Sequence, residues 1–182
     1  LKTRSLWRAF GLEAAPSTVP AAVRDAAPLC VRLLADGDPF KSALSDTLAA
    51  LGIECADDAS VCVLAGTASP PPGLPVVAIG DAAYRLLAKD GDVESVSAEH
   101  GRVLHCIRAG TSERFTAARY ATHRLLRAPA GWSVLASDEH GGDPVALSSG
   151  DGICLLYRPD SLLCDDIARQ LLRDAVSRLD AT

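Results

Sequence analysis

Four short runs of the chain, "CVRLLA" (30–35), "SVCVLAG" (60–66), "PVVAI" (75–79) and the start of "GICLLYRPDS" (152–161), are apolar almost throughout instead of alternating apolar with polar residues. A strand with one wet face alternates, so runs without alternation read as strands covered on both faces. Helical stretches lie between and after them. "DPFKSALSDTLAALG" (38–52) sets Phe40, Leu44, Leu48 and Leu51 on one face and stops at Gly52. "SLLCDDIARQLLRDAVSRL" (161–179) closes the chain as a long amphipathic helix. The pattern predicts an α/β fold, a mostly parallel open sheet with helices on both faces. "GRVLHCIR" (101–108), "RFTAARYA" (114–121), "WSVLASD" (132–138) and "PVALSS" (144–149) add a small antiparallel strand region.

Residues 1–28, "LKTRSLWRAFGL" followed by an Ala/Pro-rich stretch, read as the end of an upstream unit and a linker, which leaves 29–182 as the domain. The chain begins at Leu1 and contains no methionine, so it is expected to be part of something longer. A net charge of −5 without a basic stripe argues against nucleic acid as a partner. No apolar run approaches the roughly 20 residues that span a bilayer, and no signal-peptide pattern is present, so a cytoplasmic protein without membrane partners is expected. The six cysteines form no CxxC pair and sit mostly among Val, Ile and Leu, the setting of small buried hydrophobes. His100, His105 and Cys106 match no strong zinc spacing, and neither a metal nor a cofactor is expected.

"PVVAIGDAAYRLL" (75–87) is the most pointed stretch: a short apolar strand, one residue, then a helix opening on aspartate. Strand, sharp turn and helix form the elbow that presents a serine or cysteine nucleophile at the edge of a parallel sheet. Here the turn residue is Gly80. Glycine accepts a strained turn at no steric cost but has no side chain with which to attack.

In order and spacing these landmarks resemble the class I glutamine amidotransferases, of the anthranilate and aminodeoxychorismate synthase type, over roughly residues 30 to 178. "DGDPFKSALSDTLAALGIE" is similar to the family's opening strand and helix. "VLAGTASP" (63–70) is similar to its glycine and proline loop beside the oxyanion site, with Gly66 kept and Ala68 where a second glycine is usual. "EHGRV" (99–103), "ARYATH" (118–123) and "LYRPDSLL" (156–163) resemble its His-Gly-Lys, Gly-Arg-Tyr-His-Ser and Gln-Phe-His-Pro-Glu-Ser segments. The resemblance implies a flavodoxin-like core and places the Cys, His and Glu of a glutaminase triad at Gly80, Arg158 and Asp160. It also places Gly66, Asp81, Tyr84 and Tyr120 in the former substrate pocket, with Tyr84 filling it. Only Asp160 keeps the required chemistry, since a guanidinium with a pKa above about 12 is no general base near neutral pH. An ion pair from Arg158 to Asp81, to Asp160 or to both is expected. The implied protein is an inactive copy with a structural or regulatory role beside a chorismate-utilising synthase domain of the anthranilate or aminodeoxyisochorismate kind, fused or in complex, and the reading allows a homodimeric parent. "LKTRSLWRAFGL" is similar to the chain end of such synthases, so the resemblance makes residues 1–28 the end of a synthase-like unit and its Ala/Pro linker.

Two other readings stand beside it. One is a receiver-like or other α/β signalling or binding domain, since Asp36 and Asp38 follow the first strand. The other is a hydrolase with relocated groups, Cys154 or Cys164 with His123 or His140.

Overall fold

The computed structural model describes residues 28–88 and 92–181, so the linker reading for residues 1–28 lies, apart from Pro28, outside the described residues. Among the described residues nine strands form a single mixed sheet in the order β2-β1-β3-β4-β9-β8-β7-β5-β6. Strands β1 (Leu29–Leu34), β2 (Ile53–Cys55), β3 (Val61–Leu64), β4 (Val76–Ile79) and β9 (Gly152–Leu155) run parallel. Strands β5 (Asp92–Arg108), β6 (Arg114–Arg127), β7 (Ser133–Asp138) and β8 (Pro144–Ser148) form the antiparallel half.

The absence of alternation in the apolar runs is explained by the layers. Every residue of β3, β4 and β9 is buried. In β3, Val61 and Val63 enter one core, while Cys62 and Leu64 enter the other. The first core is roofed by α1 (Lys41–Ala50) through Leu44 and Leu48, and by α3 (Asp166–Asp180) through Leu171, Leu172, Val176 and Leu179. The second is roofed by α2 (Asp81–Leu87) through Ala82, Ala83, Tyr84 and Leu87. The sheet therefore has helices on both faces, as an α/β fold requires.

Where the boundaries differ from the sequence reading, a local cause is visible. Strand β2 leaves no signal in the sequence, because only Ile53 of its three residues is buried and so short a piece carries no period. Strand β5 starts at Asp92 instead of 101, and β6 runs on to Arg127. Their pairing slips register between Ser95 and Glu99 and between His100 and Arg102, which erases the two-residue period by which strands are recognised. Gly101, at φ 74°, sits inside the second slip, so "EHGRV" carries a bulge within a strand. The last parallel strand ends at Leu155, and α3 begins at Asp166, where Asp165 caps it by accepting from the Ala168 amide at 2.9 Å. Four of the six cysteines (62, 106, 154 and 164) are buried, whereas Cys30 is half-buried and Cys55, on the edge strand, is exposed. Among the described residues no helix is long and apolar enough to cross a membrane.

The antiparallel half is pinned by a buried ion pair. The Arg119 guanidinium, 3% exposed, donates to Glu99 through Nε at 2.5 Å and Nη2 at 3.1 Å, and Arg102 adds a bond at 2.7 Å. Burial pushes the Glu99 carboxyl upward, but hydrogen bonds from Arg119 and Arg102 outweigh it and hold the pKa below its ordinary 4.5. A carboxyl depressed in the folded state stabilises the fold above its unfolded pKa and loses that contribution as pH falls through the folded value. Glu99→Gln is expected to cost about 3 kcal/mol at pH 7. The difference in melting temperature from the parent chain should shrink as pH drops below about 4.5, and thermal denaturation across pH 3 to 7 checks it.

Candidate functional site

Strands β1, β3, β4 and β9 lie side by side, and at their C-terminal ends each hands the chain to a loop. Ligands of open α/β sheets bind at this edge. Four loop residues meet there: Asp38 after β1, Gly66 after β3, Gly80 after β4 and Arg158 after β9. The register Ile79↔Leu155 sets Gly80 and Arg158 next to each other, and the Gly80 amide donates to the Leu155 carbonyl at 2.9 Å.

Gly80 has φ 57° and ψ −127°, and its carbonyl accepts from the amides of Ala83 and Tyr84 to start α2. Such a backbone costs an L residue on the order of 1–3 kcal/mol. A Cβ at Gly80 would stand 3.2 Å from the Arg158 Cδ, so the missing side chain points at Arg158. Gly66, at φ 61°, is demanded by close approach, since a Cβ there would lie 2.7 Å from the Asp38 amide nitrogen.

Arg158 is almost fully buried and wholly committed. Its Nε and Nη2 donate to the two oxygens of Asp160, both at 2.9 Å, and its Nη1 donates to Asp38 Oδ2 at 2.6 Å. The guanidinium carbon lies 5.2 Å from the centre of the Phe40 ring. Burial lowers the Arg158 pKa, but the bonds to Asp160 and Asp38 more than offset it and keep the group charged. The expected pairing with Asp160 is found, but the second partner is Asp38 and not Asp81. Arg158 and Asp160 meet across a turn and not along one face of a strand. The strand has ended by then, and Pro159 and Asp160 form a turn closed by the Ser161 amide donating to the Arg158 carbonyl at 3.0 Å.

Beside this cluster lies a cavity of about 520 Å³ walled by Asp38, Phe40, Gly66, Asp81, Arg85, His100, Tyr120 and Arg158, among others. Of the four residues that the resemblance assigned to a pocket, Gly66, Asp81 and Tyr120 stand in this wall and Tyr84 does not. Tyr84 is 1% exposed and packs inward under α2 against the second core. Burial lifts its phenol to about 12, although Arg119 beside it pulls the other way. The N-cap of α2 is Gly80, and Asp81 is the first helical residue, exposed toward the cavity.

Arg85 is the site residue that sequence reasoning missed. One turn beyond Asp81, it donates to the Thr67 carbonyl at 3.0 Å, to the Ala68 carbonyl at 3.4 Å and to the Gly66 carbonyl. The Thr67 amide, in turn, is committed to the Asp36 carbonyl at 2.7 Å. The loop after β3 thus has its carbonyls taken up by Arg85 and its Thr67 amide tied to the Asp36 carbonyl. No local spacing marks it, because the carbonyls that hold it lie 17 to 19 residues away in the chain.

The relocated-hydrolase reading gains no geometry. Cys154 is fully buried and its thiol is pushed well up by burial; Cys164 is raised to about 11, first by burial. Cys164 Sγ donates to the Arg158 carbonyl at 3.1 Å and accepts from the Ala118 amide at 3.2 Å, so neither bond involves a histidine.

No protein-family model and no curated protein sequence matches the chain. Solved structures do. A protein described as a GMP synthase subunit from Thermoplasma acidophilum superposes with a TM-score of 0.68 at 12% identity, covering 86% of this chain and 96% of that one. A second structure, described as a glutamine amidotransferase, gives 0.63 at 17% identity over 84% of this chain and 99% of its own. The chain has the glutamine amidotransferase fold. A Thermotoga maritima glutamine amidotransferase agrees, with a TM-score of 0.57 at 10% identity over 84% and 98% of the two chains. Within this glutamine amidotransferase fold, the three positions assigned to a triad by resemblance lie together at the ends of β4 and β9.

The Arg158 cluster should dominate the stability of this edge. Arg158→Met is expected to cost about 3–5 kcal/mol by leaving Asp38 and Asp160 buried and unpaired. Asp38→Asn with Asp160→Asn in the same chain should recover more than half of that loss, measured by urea unfolding.

Proposed function

We propose that this chain is a catalytically inactive glutamine amidotransferase-like domain with a structural or regulatory role in a chorismate-utilising enzyme of the anthranilate or aminodeoxyisochorismate synthase kind. The observation that carries the loss of activity is Arg158 fastened by two carboxylates directly over the side-chain position of Gly80. Release of ammonia from glutamine in this fold calls for a thiolate, a base to form it and an oxyanion donor. Residue 80 has nothing to attack with and the guanidinium cannot accept a proton. The Thr67 amide is bonded to the Asp36 carbonyl, and the Asp81 carboxylate opposes a second negative charge beside the elbow. The synthase partner rests on the sequence likeness of residues 1–12 to the chain end of such synthases and on the Ala/Pro stretch that follows.

The chain should release no ammonia from glutamine above the uncatalysed background. Gly80→Cys alone should remain inactive and lose about 1–3 kcal/mol of stability, because the new side chain meets both a strained backbone and Arg158. Glutamine-dependent ammonia from the parent chain or from that single variant would overturn the reading. Removing residues 30–182 from the parent enzyme should lower its solubility or change its ammonia-dependent rate while chorismate chemistry persists. An unchanged truncated enzyme would leave the domain without the proposed role.

A further inference from the structure

Five large apolar side chains stand exposed among the described residues: Phe40, Val103, Leu126, Leu162 and Leu163. Scattered singly, such residues need no explanation, but a contiguous group marks a surface that something covers. Three of the five gather beside the cavity mouth. The Phe40 ring, 44% exposed, lies 5.6 Å from the Tyr120 ring, centre to centre. Tyr120 in turn adjoins Leu163, since a Cβ on Gly101 would lie 3.0 Å from the Tyr120 hydroxyl and 3.4 Å from Leu163 Cδ1. Leu162, the most exposed of the five at 62%, precedes Leu163 in a turn where the Leu163 amide donates to the Ser161 hydroxyl at 3.2 Å. Phe40, Tyr120 and Leu163 therefore form one apolar rim, with Leu162 at its end.

The chain itself supplies an occupant. Residues 1–27 lie outside the described residues, and they open with "LKTRSLWRAFGL". At helical spacing Leu6, Trp7 and Phe10 fall on one stripe, with Arg4 and Arg8 opposite. So short a stretch holds a helix poorly in water unaided, so its apolar stripe calls for a surface to lie on. Residues 13–27, rich in Ala and Pro, reach roughly 45 Å when extended. They lead to the N-terminal end of β1, a strand of 6 residues that spans about 20 Å, so the reach covers the distance to the rim at the C-terminal strand ends. Charge acts in the same sense over longer range: the segment carries Lys2, Arg4 and Arg8 with no carboxylate, and taking its +3 from the chain's −5 leaves −8 on the remainder.

We propose that residues 1–12 dock as a short helix across this rim, with Leu6, Trp7 and Phe10 set against Phe40, Tyr120, Leu162 and Leu163 and with Arg4 and Arg8 toward solvent. The inference goes beyond the functional reading above and does not need it: whatever unit precedes the domain is held beside the cavity mouth. A tether of this length keeps the segment at an effective concentration on the order of 1 mM, so an intrinsic dissociation constant of about 0.1 mM leaves it roughly nine-tenths docked.

The test follows Trp7 in the 182-residue chain carrying Trp132→Phe, which leaves Trp7 as its single tryptophan. Acrylamide quenching of Trp7 should rise at least about 3-fold when Leu162→Ser and Leu163→Ser are introduced together, approaching the quenching of the urea-unfolded chain. Leu126→Ser, an exposed leucine away from the rim, should leave it unchanged. In a chain that keeps Trp132, Trp7→Ala should shift the amides of Phe40, Tyr120, Leu162 and Leu163, which decides location even if Trp132→Phe fails to fold. Trp7 quenched as freely in the folded chain as in urea, rim substitutions without effect, or shifts that map elsewhere would each overturn the proposal. Protection of Trp7 that grows with protein concentration, alongside a dimer in sedimentation, would also overturn it and give the rim to a second copy. No glutamine enters the assay, so its failure leaves the inactive-domain reading standing, and ammonia release from glutamine would count against that reading alone.

Discussion

The parallel pairing of β4 with β9 is the constraint on which the rest of the site depends. The chain leaves β4 through Gly80, builds α2 and the whole antiparallel half, and returns to lay β9 against the strand it left. That return places residue 80 and residue 158 at adjacent strand ends whatever their side chains are. Backbone hydrogen bonds, not site chemistry, enforce the juxtaposition. The elbow at Gly80 therefore belongs to the fold first, since the strand must turn sharply into α2 to let the antiparallel strands form.

With that geometry fixed, the question at residue 158 is how a cation can be kept out of water. A buried guanidinium is tolerable only with its donors satisfied, and here two carboxylates and an aromatic face do so. The loop after β1 is recruited for this. Asp38 accepts both from Arg158 and from the Phe40 amide at 2.8 Å, so one carboxylate orders the entrance to α1 and closes the cluster. Gly66 lets the neighbouring loop pass close enough to pack on it.

Much of this is legible in the chain. The doubly buried strands announce themselves because nothing in them has to face water, and Gly80 stands out because strand, single residue and helix follow without a gap. Arg158 and Asp160 are legible as a pair because they stand two residues apart, but the turn that joins them is not, since the apolar run leading into them reads as strand. Asp38 as the second partner is not: it lies 120 residues away from Arg158, and no local period records an ion pair over that distance. Tyr84 was misplaced because its position was carried over from a resemblance, while its burial is set by which side of a seven-residue helix faces the second core. The first part of β5 escapes because its register slips cancel the alternation that identifies strands.

The arrangement around Arg158 also fixes its own future. Any single change at that position strands two carboxylates away from water, and any single change at Asp38 or Asp160 removes support from a guanidinium that is almost wholly shut off from solvent. Neutral drift at these three positions is therefore blocked one residue at a time, and the trio moves together or not at all. Descendants of this chain would keep the trio for the solvation of its buried charges, whatever else the position does.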